Sequence, residues 1–207
     1  MRKNSKSRWM IGCGISLMAA AVVLGGINVH EAQNAAEVCC EDLLALKEVM
    51  QQHNSQQQAE QIAVYEAFKA VEMPVIEIKD KEYIGTIQIP SLELELPVQK
   101  EWSDSKLKKA PCCYQGSVYQ DNIIIAAHNY GKHFGKIGEL DLQEQIIFTD
   151  AVGNTFIYEV TGVEILAGTD LEKMESGEWD MTLFTCTYGG KNRVTVRCEK
   201  KKLTNSL

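Results

Sequence analysis

A chain of 207 residues has room for one ordinary domain with appendages, and its 45% apolar content is enough to build a core. The formal net charge of −7 argues against a nucleic-acid binder, which would be marked by a basic patch or stripe. Seven cysteines, at 13, 39, 40, 112, 113, 186 and 198, are an odd number, so at least one thiol stands outside any intramolecular disulfide.

No CxxC pair occurs, and the four histidines complete no zinc spacing. The doublets Cys39-Cys40 and Cys112-Cys113 are poor candidates for internal bridges, because neighbouring Cα atoms lie at about 3.8 Å, below the usual disulfide range.

The N-terminus carries Arg2, Lys3, Lys6 and Arg8, followed by an uncharged run from Trp9 to Val29. At about 1.5 Å per residue that run can cross about 30 Å of hydrocarbon. Glu31, Glu37, Glu41 and Asp42 follow it. The positive-inside rule then makes residues 1–8 cytoplasmic, 9–29 a single-pass signal anchor, and the remainder extracellular. A cleaved signal peptide ending near Ala35-Ala36 is the rival, and the length of the run favours the anchor.

Residues 30–74 read as a helical stalk rich in Ala, Glu, Gln and Leu. Leu43, Leu46 and Met50 mark one apolar stripe, and Ile62, Tyr65 and Phe68 a second. The polar stretch between them argues against one continuous buried helix. A coiled-coil dimer crosslinked through Cys39 or Cys40 is an open alternative. Pro74 ends the helical region.

Residues 75–207 read as an all-β domain. Ile87/Ile89 and Leu92/Leu94/Leu96 alternate strictly on either side of Pro90. Gln99 to Gly116 is loop-like. Asn122 to Ala127 is a short central strand ending at His128, and Asn129 to Leu142 is a loop with at most a short helix. Gln145–Thr149, Thr155–Leu166, Met181–Thr187 and Arg193–Glu199 add strands, with turn signals at Asp150-Gly153-Asn154, Ser176-Gly177 and Gly189-Gly190. Many short strands between turn residues predict a closed β-barrel or a sandwich.

The last two of these strands form a hairpin in which Cys186 and Arg193 are opposed, with Cβ atoms about 5 Å apart. A cysteine nucleophile needs a base or cation to hold its thiolate and a donor for the oxyanion. Arg193 supplies a cation, and His128, at the end of another strand, a base. Plainer readings are a packed thiol and a histidine satisfied at a strand end. Arg197 shares the face of Arg193 but lies about 13 Å further along, so Arg193 is the better partner and Arg197→Lys should be mild. Cys198 shares the opposite face with Val194 and Val196 and should be packed in the core.

Thr182-Leu183-Phe184-Thr185-Cys186 resembles the Thr-Leu-x-Thr-Cys signature of sortases, the Gram-positive cysteine transpeptidases that anchor surface proteins. Ile84 to Leu92 resembles their first strands, and Ile125-Ala-Ala-His128-Asn-Tyr their histidine motif, with Ala127 in place of the usual glycine. His128-Asn129, then His133-Phe-Gly135, looks nearer to class B than to class A. The resemblance covers Tyr83 to Glu199 and implies a sortase-type barrel.

It further implies that Cys186 attacks an LPxTG-like C-terminal sorting signal and forms a thioacyl-enzyme. His128 would be the acid–base partner and Arg193 the substrate-orienting, oxyanion-stabilising cation. Thr185, Ala127 and Asn129 would line the substrate or the oxyanion hole. The partners implied are a sorting-signal peptide and an amine of a cell-wall precursor or pilin. No cofactor is expected, and the acids from Glu139 to Glu164 make no EF-hand spacing, so no metal is expected either. The competing readings are another cysteine peptidase or L,D-transpeptidase, and a non-catalytic β-domain that binds a wall or protein partner.

Overall fold

The computed structural model describes residues 5–57, 72–176 and 178–201. Among the described residues, helix α1 (Ser5–Gln57) precedes nine strands: β1 (Ile76–Ile78), β2 (Lys81–Ile89), β3 (Leu94–Gln99), β4 (Cys112–Gln115), β5 (Ile123–Ala126), β6 (Gln145–Asp150), β7 (Thr155–Ala167), β8 (Met181–Cys186) and β9 (Asn192–Lys200). Their spatial order is β1-β2-β3-β4-β5-β8-β9-β7-β6. β6 then returns to pair with β2, from Gly85–Asp150 to Gln88–Ile147. The ring from β2 to β6 is therefore a closed eight-stranded barrel, with β1 added outside it on β2. Closure removes the unpaired edges that an open sheet would expose.

The side-chain period of two decides what fills the barrel. Ile87 and Ile89, Ile123 and Ile125, Met181 and Leu183, and Val196 and Cys198 all belong to one buried cluster. Phe134, Phe148 and Tyr158 complete it without solvent exposure. Gly85 sits where β2 kinks onto β6, at φ 146, and a Cβ there would lie 2.1 Å from the Thr149 carbonyl oxygen. Only glycine allows that close approach. Pro90 breaks the first two barrel strands as expected, through a 3₁₀ turn (Pro90–Leu92) capped by Glu93 in the left-handed region. Leu92 thus belongs to the turn and not to the strand that follows.

Two strands lie where none is expected. Ile76–Ile78 pairs with Lys81–Tyr83 across a tight turn. Cys112–Gln115, inside the segment read as loop, pairs with β5. Both cysteines of that doublet are buried strand residues, and neither faces solvent.

The N-terminal region departs most from the stalk reading. α1 is one continuous helix, and its residues 35–50 lie against the barrel. Ala35, Cys39, Asp42, Leu46 and Met50 recur at steps of three and four and are all buried, while Leu43 is half-buried. Leu46 and Met50 join Ile76, Ile78, Tyr83 and Ala151 in a second apolar cluster. Asp42, 1% exposed, accepts hydrogen bonds from the Tyr83 hydroxyl at 2.6 Å and from the Lys81 ammonium. Lys47 pairs with Glu95 of β3 at 2.6 Å. Cys39 is packed against the barrel, which removes it from any coiled-coil crosslink; Cys40 is exposed. The stripe of Ile62, Tyr65 and Phe68 lies outside the described residues.

Earlier in α1, Ile15, Leu17, Met18, Val22, Leu24 and Ile27 are all more than half exposed. A helix apolar on every side suits a membrane span. Among the described residues, the segment from Cys13 onward is long and apolar enough to cross a bilayer.

Candidate active site

β5 and β8 run parallel, with Ala126 beside Phe184. The pairing continues one residue beyond β5. The Ala127 N–H donates to the Phe184 carbonyl at 3.2 Å, and the Thr185 hydroxyl donates to the Ala127 carbonyl at 2.8 Å. Extending that register places His128 beside Cys186. On the other side, β8 and β9 run antiparallel, with Cys186 directly opposite Arg193. Ile125 and Ala127, Leu183, and Val194 and Val196 all pack on the barrel interior. By the pleat, His128, Cys186 and Arg193 therefore share the outward face, at one end of three adjacent strands.

His128 is stacked on Tyr130, with ring centroids 4.0 Å apart and an angle of 18° between planes. Burial, and secondarily the charge of Lys108, lowers the imidazole below its ordinary pKa; the Asn129 hydrogen bond and the charge of Glu31 on α1 act the other way. The neutral form, able to accept a proton, is thus favoured. Cys186 is half-buried, with its thiol free. The Arg193 guanidinium donates from Nη1 to the Gly190 carbonyl at 2.9 Å and to the Asn192 carbonyl at 3.2 Å, so its head folds over its own hairpin.

Arg197 is fully engaged elsewhere. It is 2% exposed and donates to Glu164 at 2.9 Å, to Thr182 Oγ1 at 3.0 Å, and to the carbonyls of Met174 at 3.2 Å and Lys173 at 2.6 Å. Its Cζ lies 4.2 Å from the centroid of the Trp179 ring. It ties the short helix Leu171–Glu175 to the sheet. The expected mildness of Arg197→Lys does not fit a buried cation with four donated bonds, since lysine cannot reproduce the fork.

Thr185 is buried, and its hydroxyl proton is used on Ala127. It holds the His128-bearing strand end in register, and that bond leaves it without a free donor for an oxyanion. Asn129 lines a cavity of about 850 Å³ together with Tyr130, Lys132 and Tyr188, and α1 forms the opposite wall through Asn28, Val29, Gln33 and Glu37.

Three neighbours of this site have no role assigned to them by the sequence. Tyr130 closes the segment that resembles the histidine motif, and Glu31 reaches the site only because α1 docks. Phe184 is the third. It shares the outward face with Cys186 and packs edge-on to Tyr114 at 5.4 Å, which in turn meets Trp102 at 5.5 Å. The two-residue step from Cys186 could have drawn attention to Phe184, and the histidine motif to Tyr130; nothing local marks Glu31.

A family model described as the sortase domain matches residues 87–201, more than half of the chain. Sortase A of Bacillus anthracis is 33% identical over 112 residues, which are 51% of this chain and 53% of that protein, so the chain spans about half the length of this curated relative. Sortase C of Streptococcus pneumoniae, whose structure was described for catalysis and pilin substrate specificity, shares the fold at a TM-score of 0.61 and 19% identity, over 81% of this chain and all of that one. Sortase A of Listeria monocytogenes aligns at a TM-score of 0.51 and 23% identity, over 60% and 93%. Their names belong to classes A and C, and none of the three lends support to the class B-like reading of His128-Asn129. With the matched segment spanning nearly the whole barrel, the chain belongs to the sortase family.

Proposed function

We propose that the protein is a membrane-anchored cysteine transpeptidase in which Cys186 is the nucleophile, His128 the acid–base group and Arg193 the cation at the reacting carbonyl. The observation that supports this reading best is the single outward row His128–Cys186–Arg193 across β5, β8 and β9. The family membership of the chain supports the same reaction class.

In the first half-reaction His128 takes the Cys186 thiol proton as sulfur bonds to the scissile carbonyl carbon of an LPxTG-like peptide. The carbon–nitrogen bond breaks, the proton passes from His128 to the leaving amine, and a thioester remains on Cys186. In the second half, an amine from a cell-wall precursor or pilin attacks the thioester and gives its proton to His128. The C–S bond breaks and the proton returns to sulfur. Arg193 is opposite Cys186 in the β8–β9 register, and turning its guanidinium from Gly190 to the peptide oxygen would supply a planar pair of donors. Phe184, Tyr114 and Trp102 offer the peptide an apolar wall beside the thiol. The N-terminal residues 1–8 lie in the cytoplasm in this reading, and the barrel lies outside.

Full-length protein in detergent, given sorting-signal peptides and an amine acceptor, should yield the amide-exchanged product, detected by mass. Cys186→Ala should abolish it. Turnover that survives in Cys186→Ala contradicts the assignment and favours a different catalytic group. No turnover with any peptide or acceptor favours a non-catalytic binding domain.

A further inference from the structure

The turn that closes the β8–β9 hairpin projects from the barrel. Tyr188 is 95% exposed, a Cβ on Gly189 or Gly190 would meet nothing within 4 Å, and both glycines have positive φ, at 84° and 72°. Such a tip is a tight glycine turn left unburied by the protein itself. A large aromatic side chain left almost wholly exposed at a turn is unexplained by packing.

Its position explains it. Tyr188 and Gly189 line the same cavity as Asn28 and Val29 of α1. Val29 ends the apolar run, and the helix is continuous through it, with no break between the apolar segment and the segment docked on the barrel. The docked part, Ala35 to Met50, is fixed by the Asp42 latch and the Leu46–Met50 cluster. The level of the hairpin tip relative to the end of the span is therefore set by the fold. Lys132 lines the cavity, and Lys191 follows the turn; both are exposed.

From this arrangement we infer that the Tyr188–Lys191 tip, with Lys132, inserts into the headgroup zone of the same bilayer that α1 crosses. The inference rests on the membrane-anchor reading above. Tyrosine is suited to that layer, because its ring is apolar and its hydroxyl reaches water and headgroup oxygens. Lysines beside it meet lipid phosphates and are attracted to an anionic surface. With α1 as one point of attachment and the tip as a second, the barrel cannot swing freely about the helix. The rim bearing Cys186, two residues before Tyr188, is held at the membrane surface. Substrates tethered to the membrane would meet the thiol there without leaving the interface.

The test uses the full chain reconstituted in phosphatidylcholine–phosphatidylglycerol vesicles, with photoreactive p-benzoylphenylalanine at position 188. A second protein carries it at Thr155, an exposed residue at the far end of β7 from Ala167, which pairs with Asn192 beside the tip. Insertion is checked by alkaline carbonate extraction. The expected result is a lipid adduct, seen by mass, at 188 and its loss at 155, with further loss of the 188 adduct when Lys132 and Lys191 are changed to Glu. A chain that remains embedded yet gives no lipid adduct at 188, or equal adducts at 188 and 155, overturns the inference and leaves the anchor intact. A chain stripped from the vesicles by carbonate overturns the anchor and the inference together.

Discussion

Arg193 and Arg197 stand on the same outward face of β9, and their surroundings give them different work. Among the described residues Arg193 makes no ion pair and holds two carbonyls of its own turn, whereas Arg197 is buried under Trp179 with four donated bonds. Arg193→Lys should leave folding intact and lower peptide transfer by about a hundredfold, because a point charge cannot replace the fork at a developing oxyanion. Arg197→Lys should cost about 2–4 kcal/mol of stability through the lost bonds. Parallel kinetics and urea unfolding separate the two, and an inactive but fully stable Arg197→Lys would show that the wrong arginine has been placed at the site.

A second residue-scale prediction concerns His133, which is wholly buried beside the Ala35 backbone of α1. Burial, then the charge of His128, depresses its pKa from the ordinary 6.5 to about 4. Within that window the unfolded chain binds the proton and the folded chain does not, so stability is full above the window and falls as pH drops through it. The loss amounts to about 3 kcal/mol by pH 4. His133→Leu should flatten this slope in pH-dependent urea titrations; an unchanged slope would assign the acid sensitivity to other groups. The sequence shows His133 only as a loop residue, since its burial comes from long-range closure of the loop onto the barrel and α1. The strand-end positions of Cys186, Arg193 and His128 were legible because period-two alternation and a glycine turn fix faces and ends locally. Arg197 was not, because the groups that consume it come from Lys173, Met174 and Glu164, which carry no pattern relative to β9.

At the scale of elements, strands with clear alternation or an unbroken apolar run were readable: β2, β3, β5, β8 and β9 all lie where the pattern puts them, to within a residue or two. The two short strands escaped for a physical reason. β1 has three residues and β4 four, too few for a period to register, and β4 follows a proline and opens with a cysteine doublet. The helix posed the opposite difficulty. A helix docked along one face needs only a narrow stripe, here steps of three and four from Ala35 to Met50, and the polar stretch Gln51 to Gln61 runs past Gln57, the last described residue of the helix. The Asp42 carboxylate is the polar centre of that contact. Asp42→Ala leaves the Tyr83 hydroxyl and the Lys81 ammonium without their acceptor and should destabilise the docked helix by about 2–4 kcal/mol. Hydrogen exchange should show residues 37–50 losing protection while β5, β8 and β9 keep theirs. Equal loss throughout would mean that helix and barrel unfold as one unit.

For the whole molecule, a continuous helix joins an apolar segment to a closed barrel, and the barrel carries the row His128–Cys186–Arg193, proposed above as the reactive one, at the end that faces the helix. The barrel supplies rigidity: three side chains at adjacent strand ends keep their spacing because neighbouring strands on both sides are hydrogen-bonded into a closed ring. The helix supplies place, and through Glu31 it also adds a charge near His128. The proposed chemistry requires the Cys186 sulfur to carry the acyl group. Full-length protein mixed with a sorting-signal peptide in the absence of any amine, quenched in acid and digested, should show the acyl fragment of the peptide on the segment containing Cys186. Hydroxylamine should release it, and His128→Ala should prevent its formation. An acyl group found on Cys40 or Cys13, or a peptide cleaved with no adduct on Cys186, would contradict the account.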